Sequence, residues 1–220
     1  MLQHVFERAA QSRYLSRLII ATDDERIYAE ARRFGAPARM TRADHASGTD
    51  RVAEVASAEE ADLIVNIQGD EPLIDPAAID AAVLALLDDP AVPMGTLKKR
   101  IEDPRELTNP NVVKVVTDRL NNAIYFSRSL IPYVRDLGDR GGVQHYKHIG
   151  LYVYQRDFLR SYSQLPVGPL EQTERLEQLR ALENGYSIRV VETEYESLGV
   201  DTPADLERVS QLFGMSNARK

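Results

Sequence analysis

Hydrophobic and polar positions follow two rhythms along this chain: helical spacing, and short unbroken apolar runs. The clearest run is Leu63–Ile67 (LIVNI), a string of β-formers between charged segments. It predicts a strand buried in a parallel sheet. Helical spacing opens the chain, with Leu2, Val5, Phe6 and Ala9 on one face. A strand is predicted at Arg17–Thr22, then an amphipathic helix to about Phe34 that Gly35 stops. Further strands are predicted at Ala38–Met40, Met94–Lys98, Val112–Val116, Ala123–Arg128, His145–Tyr154 and Ile188–Glu192. Helices are predicted after Ser47, over Pro76–Leu87, over Arg156–Tyr162 and from about Leu170 to Glu183. Thr202 as N-cap, Pro203 at the first helical position and Asp205 three residues past the cap open a last helix. Asn121-Asn122 is a turn signal, and Asp136–Gln144, rich in Gly and charge, is a predicted loop. Strands alternating with helices predict an α/β fold, a mainly parallel sheet flanked by helices.

Three stretches carry candidate chemistry. LIVNI breaks into Gln68-Gly69-Asp70-Glu71-Pro72, which sets two carboxylates at the carboxyl end of a strand, where open α/β sheets bind ligands. The same residues also fit an acidic turn in which Asp70 only caps the helix near Pro76. Ser47, Gly48 and Thr49 lead into a helix with Asp50 and Arg51, offering small groups and backbone amides to an anion or a base edge. They equally fit a well-capped helix start. Asp201 lies between Gly199 and the Thr202 cap, unexplained by capping, and also fits a simple turn.

Composition narrows the chemistry. At 220 residues the chain suits one large domain or a domain with an extension. A net charge of −7 speaks against a nucleic-acid partner. The absence of cysteine removes thiolate metal sites and Cys nucleophiles, and suits the cytoplasm. No apolar run approaches membrane-spanning length and no signal peptide opens the chain. There is no G-x-G-x-x-G fingerprint, Walker A loop or G-x-S-x-G elbow. His145 and His148 fall on opposite faces of a strand, a poor zinc pair. What remains is an oxygen-ligand site, Asp70 after one strand and Asp201 after another, of the kind hard Mg²⁺ prefers beside phosphate oxygens. Arg51, Arg128 and Lys114, if they converge, would hold an anionic co-substrate or pyrophosphate.

IIATDDERI, MTRADHASGTDR, VNIQGDEPLI, NPNVVKVV, YFSRSLIPY, HIGLYVY, LEQLRAL and GVDTPADLERV, in this order over nearly the whole chain, resemble the 3-deoxy-manno-octulosonate cytidylyltransferases, or CMP-KDO synthetases. The resemblance implies a nucleotide-diphospho-sugar transferase-like fold and a single domain over 1–220, with about 105–165 supplying a dimerisation and sugar-binding extension. It implies transfer of CMP from CTP to KDO with release of pyrophosphate, Mg²⁺ dependence, a cytoplasmic homodimer and a place in lipopolysaccharide synthesis. By motif, Asp70 and Asp201 would be the metal ligands. Ser47, Gly48, Thr49, Arg51 and Gln68 would line the CTP site, and Arg128, His148, Tyr152, Glu177 and Gln178 would contact KDO.

The family opens with a strand and a loop reading approximately IPARxxSxRLPGKPL, and Met1-Leu2-Gln3-His4-Val5 matches the helix that follows it. The expectation is therefore a chain that binds CTP poorly and turns over slowly or not at all. The alternatives are CMP transfer to another acidic sugar, such as a neuraminate, and a non-catalytic dimeric remnant.

Overall fold

The computed structural model describes residues 1–136, 142–200 and 202–217. Asp201 and the centre of the loop predicted over Asp136–Gln144 lie outside the described residues. In chain order the elements are α1 (Leu2–Ala9), β1 (Ile20–Thr22), α2 (Glu25–Arg33), β2 (Ala38–Met40), α3 (Gly48–Ala56) and β3 (Leu63–Asn66). Then come α4 (Pro76–Leu87), β4 (Met94–Arg100), α5 (Pro104–Leu107), β5 (Lys114–Thr117), β6 (Ala123–Ser127) and β7 (Tyr146–Gln155). Last are α6 (Arg156–Tyr162), α7 (Pro169–Glu174), α8 (Leu179–Glu183), β8 (Ile188–Glu192) and α9 (Pro203–Asn217). Among the described residues no helix is long and apolar enough to cross a membrane.

These elements form two compact units. The first holds Met1–Glu59, Asn66–Asp80 and the chain from Tyr195 onward. Its strands β1 and β2 pair in parallel, Ile20 to Ala38 through Thr22 to Met40. β1 is shorter than the predicted Arg17–Thr22 because its partner is only three residues long. Pro37, just before β2, offers a carbonyl to Ile20 but has no N–H to extend the ladder. The Asp24 side chain caps α2 by accepting from the Arg26 N–H, and Gly35 at φ 81° ends it. Buried Asp80 accepts from the Ser12 hydroxyl at 2.6 Å and from the Arg13 N–H and Nε, each at 2.9 Å. It ties the stretch after α1 to the Asn66–Asp80 segment.

The second unit holds Glu60–Val65 and Ala81–Glu194, built on a sheet of order β6-β5-β7-β4-β8, with β3 also pairing with β7. This sheet is mixed. β4 and β8 are parallel, whereas β5 runs antiparallel to β6 and β7, and β4 antiparallel to β7. The α/β class holds; β5 and β6 form an antiparallel hairpin, and β7 runs antiparallel to both β5 and β4. Met94, Leu97, Leu151, Val153, Ile188 and Val190 fill the core. The β4–β7 register jumps between Thr96, opposite Tyr152, and Leu97, opposite Ile149. A bulge of this kind re-aims side chains next to it.

The single helix predicted from about Leu170 to Glu183 is two helices. Arg175 adopts φ 55°, a left-handed conformation that ends α7. The Arg128 guanidinium supplies the physical reason: its Nε donates to the Glu174 carbonyl at 2.7 Å and its Nη2 to the Arg175 carbonyl at 3.3 Å. Those carbonyls are thereby satisfied without a further helical turn.

Candidate active site

In the first unit, β3 ends at Asn66 and the chain turns through Gln68, Gly69 and Asp70. Pro72 cannot continue a ladder, so the turn exposes Gln68 and leaves Asp70 half-buried. The two carboxylates predicted together part company here. Glu71 is buried and accepts from the Tyr195 hydroxyl at 2.9 Å and the Ser197 hydroxyl at 2.7 Å. Burial raises its pKa, with the two hydroxyl donors working the other way. Glu71 therefore anchors the segment that leads to Gly199.

Asp70 meets that segment directly. Its carbonyl accepts from the Val200 N–H at 3.0 Å. Its carboxylate oxygen lies 3.9 Å from where a Cβ on Gly199 would stand. The GVDTP and QGDEP motifs are thus side by side up to Val200, while Asp201 lies outside the described residues. No N–H or O–H among the described residues is hydrogen-bonded to the Asp70 carboxylate. A hard-oxygen donor left open in this way fits a hard divalent cation. No group of three His, Cys, Asp or Glu side chains stands together among the described residues, so most ligands would come from water and substrate, as Mg²⁺ tolerates.

Around α3 both sequence alternatives meet. Ser47 is the N-cap: its Oγ accepts from the Asp50 N–H at 3.2 Å and donates to the Asp50 carboxylate at 3.0 Å. Thr49 is buried, and Gly48 is exposed with open space where a Cβ would be. Arg51 does not stand free. It donates to the Thr41 hydroxyl and pairs with Asp23 at 3.1 Å, which joins the loop before α3 to the end of β1.

In the second unit, four of the five predicted sugar contacts gather. The His148 and Tyr152 rings on β7 lie 5.5 Å apart, and Phe126 meets His148 edge-on at 5.0 Å. The Tyr152 hydroxyl donates to Gln178 Oε1 at 3.2 Å. Gln178 is 3% exposed, and its Nε2 is buried without a hydrogen-bond partner among the described residues. Glu177 precedes it, half-buried, with its carbonyl accepting from the Tyr162 hydroxyl at 2.7 Å. Burial holds the Tyr152 phenol well above its ordinary pKa, reinforced by Tyr154 and Glu177, and pushes His148 down to about 3. Both are neutral near neutral pH.

The fifth, Arg128, is occupied by backbone carbonyls, those of Glu174, Arg175 and, at 2.9 Å, Pro110. Lys114, one of the three cations expected to hold an anion, is fully buried. Its three donors go to the carbonyls of Asn109, Val112 and Arg128. It is a structural lysine, and burial lowers its pKa. Arg51 belongs to the other unit. Sequence reasoning missed Thr96, whose hydroxyl lies 2.9 Å from His148 Nε2, because a threonine in a strand reads as an ordinary β-former. It also missed Tyr195 and Ser197, since nothing local marks them as partners of Glu71.

The sequence profile described as cytidylyltransferase matches residues 1–190. A 3-deoxy-manno-octulosonate cytidylyltransferase of Solibacter usitatus is 74% identical over 216 residues, covering 98% of this chain and 85% of the relative. A protein of the same name from Syntrophotalea carbinolica is 57% identical, over 95% of this chain and 86% of its own length. Among solved structures, CMP:2-keto-3-deoxy-manno-octonic acid synthetase complexed with CTP superposes with a TM-score of 0.92 at 45% identity. That match covers 98% of this chain and 88% of the other. A 4-diphosphocytidyl-2C-methyl-D-erythritol synthase from Anaerococcus prevotii, 13% identical over 97% of this chain and 88% of its own, shares the fold at a TM-score of 0.64.

Proposed function

We propose, because this chain belongs to the 3-deoxy-manno-octulosonate cytidylyltransferase family, a division of labour among its residues in the family's reaction. The protein is a nucleotidyltransferase that transfers CMP from CTP to KDO for lipopolysaccharide synthesis. The anomeric hydroxyl of KDO attacks the α-phosphorus of CTP, the bond to the β-phosphate oxygen breaks, and pyrophosphate leaves.

Groups for the nucleotide come from the first unit. Gly48 and the capped start of α3 offer backbone amides and room for close approach, Gln68 an exposed amide, and Ser47 and Thr49 small hydroxyl side chains. Arg51 holds this loop through Thr41 and Asp23 and presents positive charge beside it. Asp70 and Asp201 would hold Mg²⁺, which when bound stabilises charge on the attacking and leaving oxygens. Groups for the sugar come from the second unit: His148, Tyr152, Glu177 and Gln178, whose Nε2 has no hydrogen-bond partner among the described residues. Arg128 spends three of its five N–H donors on backbone carbonyls and would offer the other two to KDO.

The observation that supports this reading is the meeting of Asp70 with Gly199 and Val200, the described start of the GVDTP motif. Pyrophosphate release tests it. Asp70→Asn should lower the CTP- and KDO-dependent rate on the order of 10²-fold or more without changing the melting temperature. Chelation of divalent metal should do the same. A rate unchanged by either would sink the metal role.

We also propose a homodimer in the cytoplasm, where CTP is made. In support, the segment over about 105–165 exposes Leu120 at 70%, Ile124 at 61% and Tyr133 at 83%, and β6 is an edge strand. Light scattering should give twice the 24.7 kDa chain mass. A monomer at micromolar concentration would contradict it.

A further inference from the structure

The hydroxyl of Thr96 on β4 has three neighbours and one proton. Its Oγ1 lies 2.8 Å from the Leu151 carbonyl, 3.1 Å from the Ile149 carbonyl and 2.9 Å from His148 Nε2. A carbonyl oxygen can only accept, so the Thr96 proton is directed to the carbonyls, the nearer one first. If that proton went to His148 instead, Oγ1 would face two carbonyl oxygens with only lone pairs between them. Thr96 is fully buried, so no water relieves that repulsion. The remaining arrangement is His148 Nε2–H donating to Oγ1. The bulge between Thr96 and Leu97 sets this up by bringing both β7 carbonyls round one side chain.

From this geometry we infer that Thr96 is a positioning residue that locks His148 as the Nε2-protonated tautomer and leaves its Nδ1 lone pair to accept a hydroxyl of the sugar. This deepens, and rests on, the assignment of His148 to the sugar site. Phe126 edge-on and Tyr152 alongside fix the ring plane. Among the described residues Nδ1 has no hydrogen-bond partner. The low pKa that burial imposes on the ring agrees with a neutral imidazole. A neutral ring presenting a lone pair repels a carboxylate, so His148 reads a hydroxyl and the acid group of the sugar is read elsewhere. Gln178 supplies the complement. Its Oε1 is taken by the Tyr152 hydroxyl, and its Nε2, without a partner among the described residues, is the donor left over. The sugar-facing cluster thus carries one fixed acceptor and one fixed donor.

Long-range ¹H–¹⁵N correlation spectra of the whole chain test the tautomer. Wild type should show a protonated, pyrrole-like Nε2 and an unprotonated, pyridine-like Nδ1 for His148. A pyridine-like Nε2 overturns the inference without any variant. Thr96→Ser keeps the hydroxyl and should keep this spectrum, with KM for KDO near wild type. Thr96→Val should release the tautomer and raise KM for KDO on the order of 10-fold with KM for CTP unchanged. A Thr96→Val protein with the wild-type spectrum and the wild-type KM for KDO also overturns it. If wild type shows the Nε2–H tautomer but His148→Ala leaves KM for KDO unchanged, the sugar-site assignment fails, and the acceptor role with it.

Discussion

Asp70 and Glu71, adjacent carboxylates, sit in opposite surroundings: one open beside Gly199, the other buried under two hydroxyls. Removing each should therefore give opposite phenotypes. Glu71→Ala removes the acceptor shared by the buried Tyr195 hydroxyl and the half-buried Ser197 hydroxyl and should cost about 2 kcal/mol, measurable by urea denaturation, whereas Asp70→Asn should cost activity and no stability. The motif made both acids visible in the sequence but not their division. Tyr195 and Ser197 lie 124 and 126 positions further along the chain, and only the folded backbone brings them in. His148 carries a pH prediction. Below its ordinary pKa of 6.5 the unfolded chain takes up a proton that the folded chain refuses until about pH 3. Stability should thus fall as pH drops across that window, and His148→Gln should flatten the fall in a denaturation series. A slope identical in the variant would show that the ring is hydrated in the fold.

Among the elements, the break between α7 and α8 was the hardest to read. Leu176, Leu179 and Leu182 keep a helical spacing, and Arg175 carries none of the Gly or Pro signals that announce a stop. The left-handed Arg175 is compatible with the fold because Arg128, far away in sequence, takes the carbonyls on either side. Arg175→Gly keeps those carbonyls and removes the strain, so it should stabilise by about 1 kcal/mol, seen as a raised melting temperature. At the other end of α7, Glu183 does the work of an N-cap, accepting from the Leu170 and Glu171 N–H groups, each at 2.9 Å. A Cβ on Gly168 would stand 2.3 Å from that carboxyl. Gly168→Ala should displace the cap and cost about 1 kcal/mol. Conversely, α4, α6, β2 and β8 lie where the pattern puts them, and the Thr202–Asp205 capping box is present, Thr202 N–H to Asp205 at 2.9 Å. In these elements local chemistry and tertiary packing ask for the same conformation.

For the molecule as a whole, the order of strands and helices predicted an α/β fold, and the fold is α/β, but strand direction was not legible. Nothing in KVVT or AIYFS says that β5, β6 and β7 pair antiparallel, because a short apolar run reads alike in either strand direction. The grouping into two units was equally hidden, since Asn66–Asp80 joins residues from both ends of the chain in one unit while its flanks belong to the other. Those units carry, respectively, the groups assigned to nucleotide and metal and those assigned to sugar. The central claim is that the acceptor they serve is KDO. Pyrophosphate release from CTP in the presence of Mg²⁺, measured with KDO and in parallel with N-acetylneuraminate, tests it most directly. The account predicts release that depends on both CTP and KDO, is absent with the neuraminate, and is lost in Asp70→Asn. Release with the neuraminate and not with KDO would contradict it.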